Sequence, residues 1–205
     1  VFTAALFLAA STATPALASD FDPADLKPYI GADFSYLNAD YTNSNDLALD
    51  DEFVGANPYV GVQVHENVGL EIGYLETGRS DKTFDGSVVN AGGGPGDTTD
   101  TKISGFHFDV MGNYNVTDKF EALGTVGVAR FQLDSDFNIG GTPVTIDETD
   151  TAWRIGAGGH YALTENFGVR SILRYNLVDF DIDNSGPSDT ANGFWQANVG
   201  VQYRF

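Results

Sequence analysis

The side chains best suited to chemistry are ionisable groups placed two or four residues apart. His107 precedes Asp109 by two residues, and Arg170 precedes Arg174 by four. Such spacing puts both members of a pair on one face of a β-strand. A histidine beside a carboxylate could act as a general base, although this arrangement more often serves hydrogen bonding. Ten ionisable residues share this inward-facing pattern: Asp33, Glu71, Asp109, Glu121, Arg154, Arg170, Arg174, Arg204, His107 and His160.

The segments that carry these residues alternate between apolar and polar positions, which is typical of strands with two unlike faces. The last segment, GFWQANVGVQYRF, shows it best, since every second residue back from Phe205 to Trp195 is apolar or aromatic. The parity in Phe120–Leu133 is less clear because Leu123 and Arg130 fall on unexpected faces. Eight segments have this character: 27–37, 53–64, 68–78, 102–114, 120–133, 151–162, 167–180 and 193–205.

The connections between these segments alternate between long and short. Four long loops are expected at 39–52, 79–100, 134–150 and 181–192, whereas the other connections are tight turns. Aromatic residues recur at both ends of the segments, as at the two interfaces of a bilayer. A strand of about ten residues tilted by about 40° spans about 25 Å, the height of an outer-membrane apolar band. The sequence therefore predicts an all-β fold, an eight-stranded antiparallel up-and-down transmembrane β-barrel with short periplasmic turns and long external loops.

These features, together with the segments FGVRSILRY and VGVQYRF, resemble the small eight-stranded outer-membrane β-barrels. That family comprises the OmpA-type transmembrane domain and its OmpX and opacity-protein relatives. The resemblance covers about residues 27–205. It implies localisation in the outer membrane of a Gram-negative-type envelope. It also implies that Tyr203 and Phe205 form a C-terminal signal that the barrel-assembly machinery reads.

The N-terminal residues have the pattern of a targeting segment. Val1–Ala10 is apolar, and Ala16-Leu17-Ala18 matches an A-x-A cleavage box. We therefore expect a signal peptide at 1–18, its start apparently truncated, a periplasmic lead-in at 19–26 and the barrel at 27–205. The alternative is an apolar N-terminal strand. The chain lacks Cys and has a net charge of −19, which disfavours thiol chemistry and nucleic-acid binding.

An eight-stranded barrel leaves room inside for side chains and a few waters rather than an open channel. The inward face carries four acids and four bases, and unpaired charges there would each cost several kcal/mol. We therefore expect a polar, salt-bridged lumen. The main prediction is a structural or surface-interaction role, and the alternative is a narrow or gated porin that passes small solutes. A soluble secreted barrel such as a lipocalin is the rival fold, but it would place its apolar side chains inside.

Enzymatic and metal-dependent functions have weaker support. An outer-membrane lipid-modifying enzyme would need a Ser and His pair at the rim, and Asn176-Leu177-Val178 lacks both residues. Residues 181–186 match the first half of a calcium loop, but Asn192 stands where a bidentate Glu is required. We therefore assign no catalytic residues, metal ligands or cofactor. The expected partners are outer-membrane lipid, lipopolysaccharide, the assembly machinery and weakly bound divalent cations at acidic loops, with the protein itself a monomer.

Overall fold

The structure is a computed structural model, and it describes part of the chain of 205 residues. The described residues are 26–39, 52–83, 94–177, 180–181, 190–191 and 193–205. The expected signal peptide at 1–18 lies outside these ranges, as does the expected lead-in at 19–26 except for Leu26. Most of the first and fourth expected loops also lie outside them.

Eight long strands run through the described residues and alternate in direction. They are β1 (Lys27–Ala39), β2 (Glu52–His65), β3 (Val68–Thr77), β5 (Thr98–Asn115), β6 (Phe120–Ile139), β7 (Thr142–Ala162), β8 (Phe167–Leu177) and β11 (Phe194–Arg204). Three short strands accompany them: β4 (Ser80–Thr83), β9 (Phe180–Asp181) and β10 (Thr190–Ala191).

The long strands form one closed antiparallel sheet. Each pairs with its neighbours in the chain, β1 pairs with β11, and β3 pairs with β5 to complete the wall. Following the register once around the wall from Tyr29 returns to β1 at Ala39, ten residues further along. A stagger of this kind is what tilts the strands of a closed barrel. The predicted eight-stranded antiparallel barrel is confirmed.

Burial alternates along the wall as the period of two predicts. Inward side chains are buried, whereas the outward row is apolar and exposed, as for Phe34, Phe108, Ile155 and Val201. Within β6, the structure resolves the unclear parity: Leu123 faces the lumen, and Arg130 faces outward near the long-loop end. No helix in the described residues is long and apolar enough to cross a membrane.

Two of the expected loops are wrong in part, because strands extend into them. Residues 134–150 form a continuous hairpin in which β6 and β7 pair up to Ile139↔Thr142. Its turn is Gly140-Gly141, with φ of 58° and 80°, the left-handed backbone that two-residue hairpins need. In the expected loop 79–100, β4 pairs with the start of β5, from Ser80↔Thr101 to Thr83↔Thr98. The β4–β5 extension carries polar residues on both faces, so apolar alternation does not mark it. In the hairpin, Phe137, Ile139 and Val144 share one face, but the alternation is short and is interrupted by the Gly140-Gly141 turn.

The three tight turns lie at the opposite end of the barrel, together with the start of β1 and the end of β11. Asn166 joins its turn to the last strand through two hydrogen bonds. Its side chain donates to the Arg204 carbonyl at 2.8 Å, and its carbonyl accepts from the Arg204 amide at 2.7 Å. Asn67 contacts Asn113 in the same way. Short turns are periplasmic in outer-membrane barrels, so the resemblance predicts that this is the periplasmic end, and we use that term for it below.

Candidate functional site

The lumen is organised around Arg170, which β8 directs inward. Its guanidinium donates to Asp33 at 2.7–3.2 Å and to Glu71 at 2.6 and 3.1 Å. Its Cζ lies 3.3 Å from the ring centroid of Tyr59, a cation–π contact. Tyr29 donates its hydroxyl to Glu71 at 3.3 Å. Side chains from β1, β2 and β3 therefore meet at one buried cation on β8, a strand that lies far from them in the sequence.

A second group lies beside this one and is paired less completely. Arg154 Nε is 3.2 Å from Asp109 Oδ1, and Arg174 is 3.4 Å from Asp109 Oδ2 and 3.6 Å from Glu71. The His107 ring nitrogen Nδ1 is 3.3 Å from the same Asp109 carboxylate. These side chains are fully buried. We call six residues together the ionic cluster: Asp33, Glu71, Asp109, Arg154, Arg170 and Arg174.

A third group lies at the periplasmic mouth of the lumen. Arg204 donates to both carboxylate oxygens of Glu121, at 2.7 and 2.5 Å. His160 Nδ1 lies 3.5 Å from the same carboxylate. Glu121 and Arg204 retain 19% and 25% of their side-chain exposure, in contrast to the ionic cluster. The structure thus places all eight charged residues of the predicted network in the lumen, divided between the ionic cluster and this mouth pair.

The extracellular end of the lumen contains an apolar layer that the sequence analysis did not predict. Its members are inward side chains at most 4% exposed, contributed by seven of the eight barrel strands. They are Leu37, Phe53, Leu75, Ile103, Ala129, Phe131, Leu133, Ala152 and Phe194. The rings of Phe131 and Phe194 meet edge to face at 5.2 Å. The signal was present in the sequence, since apolar residues occupy inward positions next to the long loops.

His107 and His160, the two histidines expected to face the lumen, both lie beside polar groups there. His107 Nε2 lies 2.8 Å from the Asn57 side-chain oxygen, and His160 faces the Glu121–Arg204 pair. Neither ring contacts a hydroxyl nucleophile within the described residues. Their partners are amide and charged groups, as expected of hydrogen-bonding residues in a lumen.

One group of side chains has the spacing of a metal site. Donor atoms of Glu71, His107 and Asp109 lie within 4.8 Å of one another. However, Arg154 and Arg174 contact the same Asp109 carboxylate, so a divalent cation there would lie beside two guanidinium groups. Like charges at such distances repel strongly in a buried setting. The half-matched calcium loop at 181–186 falls almost wholly outside the described residues.

Outside the membrane-spanning wall, Asp97 links two of the surface turns. Its carboxylate accepts hydrogen bonds from the amides of Gly94 at 2.8 Å and Gly140 at 2.9 Å. These two bonds favour the charged carboxylate and lower the pKa of Asp97 below its ordinary value. The turn preceding β5 is thereby joined to the tip of the β6–β7 hairpin.

The C-terminal residues are exposed on the outside of the barrel. Tyr203 and Phe205 face outward with their rings in edge contact at 5.2 Å. The Phe205 amide donates to the Pro28 carbonyl at 3.1 Å, which anchors the last residue to the first strand. Both rings therefore lie at the periplasmic interface, where barrels carry an aromatic girdle.

Comparison with known proteins agrees with this architecture. The family model described as outer membrane protein beta-barrel domain matches residues 2–205. The 31 kDa outer-membrane immunogenic protein of Brucella melitensis is 28% identical over 193 residues, covering 86% of this chain and 79% of the relative. Outer membrane protein A of Klebsiella pneumoniae is 29% identical over 175 residues, covering 84% of this chain. The chain matches only 47% of that second relative's length.

Solved structures show the same fold at low identity. OprG from Pseudomonas aeruginosa has a TM-score of 0.58 at 14% identity, with 87% of this chain and 95% of that chain covered. Ail of Yersinia pestis has a TM-score of 0.51 at 18% identity, with 88% and 97% covered. Taken with the closed eight-stranded wall and its apolar outer face, the match over nearly the whole chain leads to one conclusion: this chain belongs to the outer membrane protein beta-barrel domain family and is an outer-membrane protein.

Proposed function

We propose that this protein is a sealed outer-membrane barrel whose role is structural and surface-interacting rather than transport. The observation that carries this proposal is the apolar layer. Side chains from seven strands meet across the extracellular end of the lumen, and each is at most 4% exposed. Water and ions cross such a constriction poorly because apolar side chains cannot replace their hydration. Below it, the buried side chains of the ionic cluster occupy the lumen, with Arg170 fully paired and Arg154 and Arg174 in looser contact with Asp109.

The outer surface is suited to contact with lipid and lipopolysaccharide. Aromatic side chains flank the apolar band near the extracellular end, where the Tyr175 and Trp195 rings lie 4.9 Å apart and those of Tyr74 and Phe106 lie 4.7 Å apart. Such girdles hold a barrel at the depth of the lipid headgroups. We propose a monomer in this setting, assembled through recognition of the strand that ends in Tyr203 and Phe205.

The distribution of charge supports a role in interactions at the outer surface. The lumen network contains four acids and four bases, so the net charge of −19 lies mainly outside it. Surface carboxylates could hold divalent cations weakly beside lipopolysaccharide phosphates, and they disfavour nucleic acid as a partner. The Brucella melitensis relative is named an immunogenic outer-membrane protein, which agrees with exposure at the cell surface.

Planar-bilayer recording of the refolded protein tests the proposal. A gel run with and without boiling first selects preparations with the heat-modifiable band of a folded barrel. We expect no discrete openings at neutral pH, because neither the apolar layer nor the ionic cluster leaves a continuous aqueous path. Discrete openings of the wild-type protein would favour the narrow or gated porin instead. Calcium titration by calorimetry tests the surface carboxylates separately, and no saturable heat would rule out cation binding there.

A further inference from the structure

Arg130 is a charged residue on the lipid-facing side of β6, a position where alternation predicts an apolar one. Below it, the outward row of that strand is apolar or small: Phe120, Ala122, Gly124, Val126 and Val128. Arg130 is the first polar residue above this row, and its side chain is exposed. Ten residues of about 3.3 Å each, tilted by about 40°, place it about 25 Å above Phe120, which is the height of the apolar band. The guanidinium therefore lies at the extracellular edge of that band, where lipid headgroups begin.

The part of the chain that the structure describes supplies no anion for this guanidinium. Other cations at the same end of the wall are paired with carboxylates of the chain: Arg79 with Asp100 and Asp136, and Lys102 with Glu76. Arg130 makes no ion pair with any described residue. The next acid along its own face of β6, Asp134, accepts a hydrogen bond from Gln132 at 2.8 Å. The counter-ion of Arg130 must therefore come from outside these residues.

The surroundings of Arg130 on the outer face contain hydroxyl groups and aromatic rings rather than carboxylates. Phe106 on β5 and Thr151 on β7 lie directly opposite it in the register. The outward residues diagonal to it, or next to it along β6, are also not acidic: Ser104, Phe108, Val128, Gln132, Thr149 and Trp153. Side chains at such positions lie within about 5–8 Å of one another. In a chain with 29 acidic residues, this gap in the negative surface leaves a local positive potential.

We propose that Arg130 binds the phosphorylated headgroup of an outer-leaflet lipid, with the hydroxyls of Ser104, Thr149 and Thr151 as further donors. A guanidinium pairs with two phosphate oxygens at once, and hydroxyl groups donate to the oxygens that remain. An arginine on the lipid face destabilises a barrel at the bilayer midplane and is tolerated near the interface, where the lipid itself provides the anion. This inference rests on the proposed contact with lipopolysaccharide, and it names the residue and the chemical group through which that contact is made.

Binding of lipid A measures the role of Arg130. The refolded protein in maltoside micelles, which contain no phosphate, is titrated with diphosphoryl lipid A, and native mass spectrometry quantifies the bound lipid. We expect Arg130→Gln to weaken binding about tenfold, the factor that corresponds to the loss of one charge-assisted hydrogen bond. Arg130→Lys keeps the charge and should lose less. Lys119→Gln removes an exposed cation at the opposite end of the barrel and should bind as the wild type does.

Lipid A without its phosphates separates the headgroup from the acyl chains. It should bind equally to the wild type and to Arg130→Gln. If the wild type binds neither form of lipid A, or binds both equally, the proposed lipopolysaccharide contact itself is wrong. If the wild type prefers the phosphorylated form but Arg130→Gln binds it equally well, or if Lys119→Gln is weakened as much, only the assignment to Arg130 is overturned. Displacement of the lipid by millimolar inorganic phosphate would identify a soluble anion as the ligand and also overturn it.

A measurement of depth does not depend on affinity. Because the chain has no Cys, Arg130→Cys carries a single nitroxide label. In lipid vesicles, the relative accessibility of the nitroxide to oxygen and to a water-soluble nickel chelate gives its depth in the bilayer. We expect the label at position 130 to lie at the level of the lipid phosphates, and a label at the lipid-facing control Phe108→Cys to lie among the acyl chains. A label at position 130 that lies among the acyl chains or in bulk water contradicts the proposal.

Discussion

Replacing Arg170 with Met should destabilise the barrel more than any other single change to the lumen network. Arg170 makes five hydrogen bonds of 2.6–3.2 Å to Asp33 and Glu71, and all three side chains are at most 1% exposed. Met keeps much of the volume but removes the cation shared by Asp33 and Glu71. Asp33 loses three hydrogen bonds, whereas Glu71 keeps Arg174 at 3.6 Å. Removing one partner of a buried pair typically costs about 3–5 kcal/mol, the loss we expect here.

Arg204 provides the matched comparison at the mouth. It also binds a carboxylate through two nitrogens, but its side chain is 25% exposed and water can replace the lost bonds. We expect Arg204→Met to cost about 1 kcal/mol, the range of partly exposed pairs. Equilibrium unfolding by urea in lipid vesicles, followed by tryptophan fluorescence and by the heat-modifiable gel band, measures both losses of unfolding free energy.

A compensated variant separates charge from packing. The variant Arg170→Met/Asp33→Asn/Glu71→Gln replaces all three charged side chains by neutral ones. Most of the unfolding free energy lost in Arg170→Met should therefore return. Replacing a buried ion group by neutral residues of similar shape is often close to neutral. The reasoning is refuted if Arg170→Met loses no more free energy than Arg204→Met, or if the compensated variant is no more stable than Arg170→Met.

Three further predictions concern other parts of the wall. Gly127→Ala should prevent assembly, since its Cβ would collide with the Asp109 carboxylate and the Phe108 carbonyl, while the open, lipid-facing Gly124→Ala should assemble normally; the heat-modifiable band reports both. Asn166→Ala should lower the free energy of unfolding by about 1 kcal/mol through its lost side-chain hydrogen bond, and Asn166→Asp, whose carboxylate cannot donate, should lose a similar amount. Because the folded pKa of Asp97 is lowered, its bond to the Gly140 amide should persist below the ordinary carboxyl pKa of about 4 and be lost only as pH falls through the lowered value. An amide NMR titration in which that signal moves at or above the ordinary value would contradict this.

Most of the fold could be predicted from the alternation of apolar and polar residues. A closed barrel in lipid needs an apolar outer face, so every second residue of each strand must be apolar. The remaining residues, among them Arg154, Arg170 and Asp109, are thereby predicted to face inward. Parity also placed His107 two residues from Asp109 on the same face. The existence of an inward network was therefore predictable, because each member follows from its own strand.

Pairing within that network was not predictable from alternation. Which carboxylate meets Arg170 depends on the stagger of strands that lie far apart in the chain, such as β1 and β8. The same limit applies to the apolar layer, where Leu37 and Phe131 come together only after the barrel closes. The β6–β7 hairpin was missed for a different reason. Its Gly-Gly-Thr-Pro stretch at 140–143 is typical of a loop, and the alternation of Phe137, Ile139 and Val144 with polar residues is short on either side of it.

The most direct test of the account is which row of side chains meets lipid. A photoactivatable reagent dissolved in the bilayer core, followed by mass spectrometry of the folded protein, reads this out residue by residue. The account predicts modification of outward positions such as Phe108 and Val201, with Asp109 and Arg174 untouched in the lumen. Modification of Asp109 and Arg174 instead, with Phe108 and Val201 protected, would contradict the account.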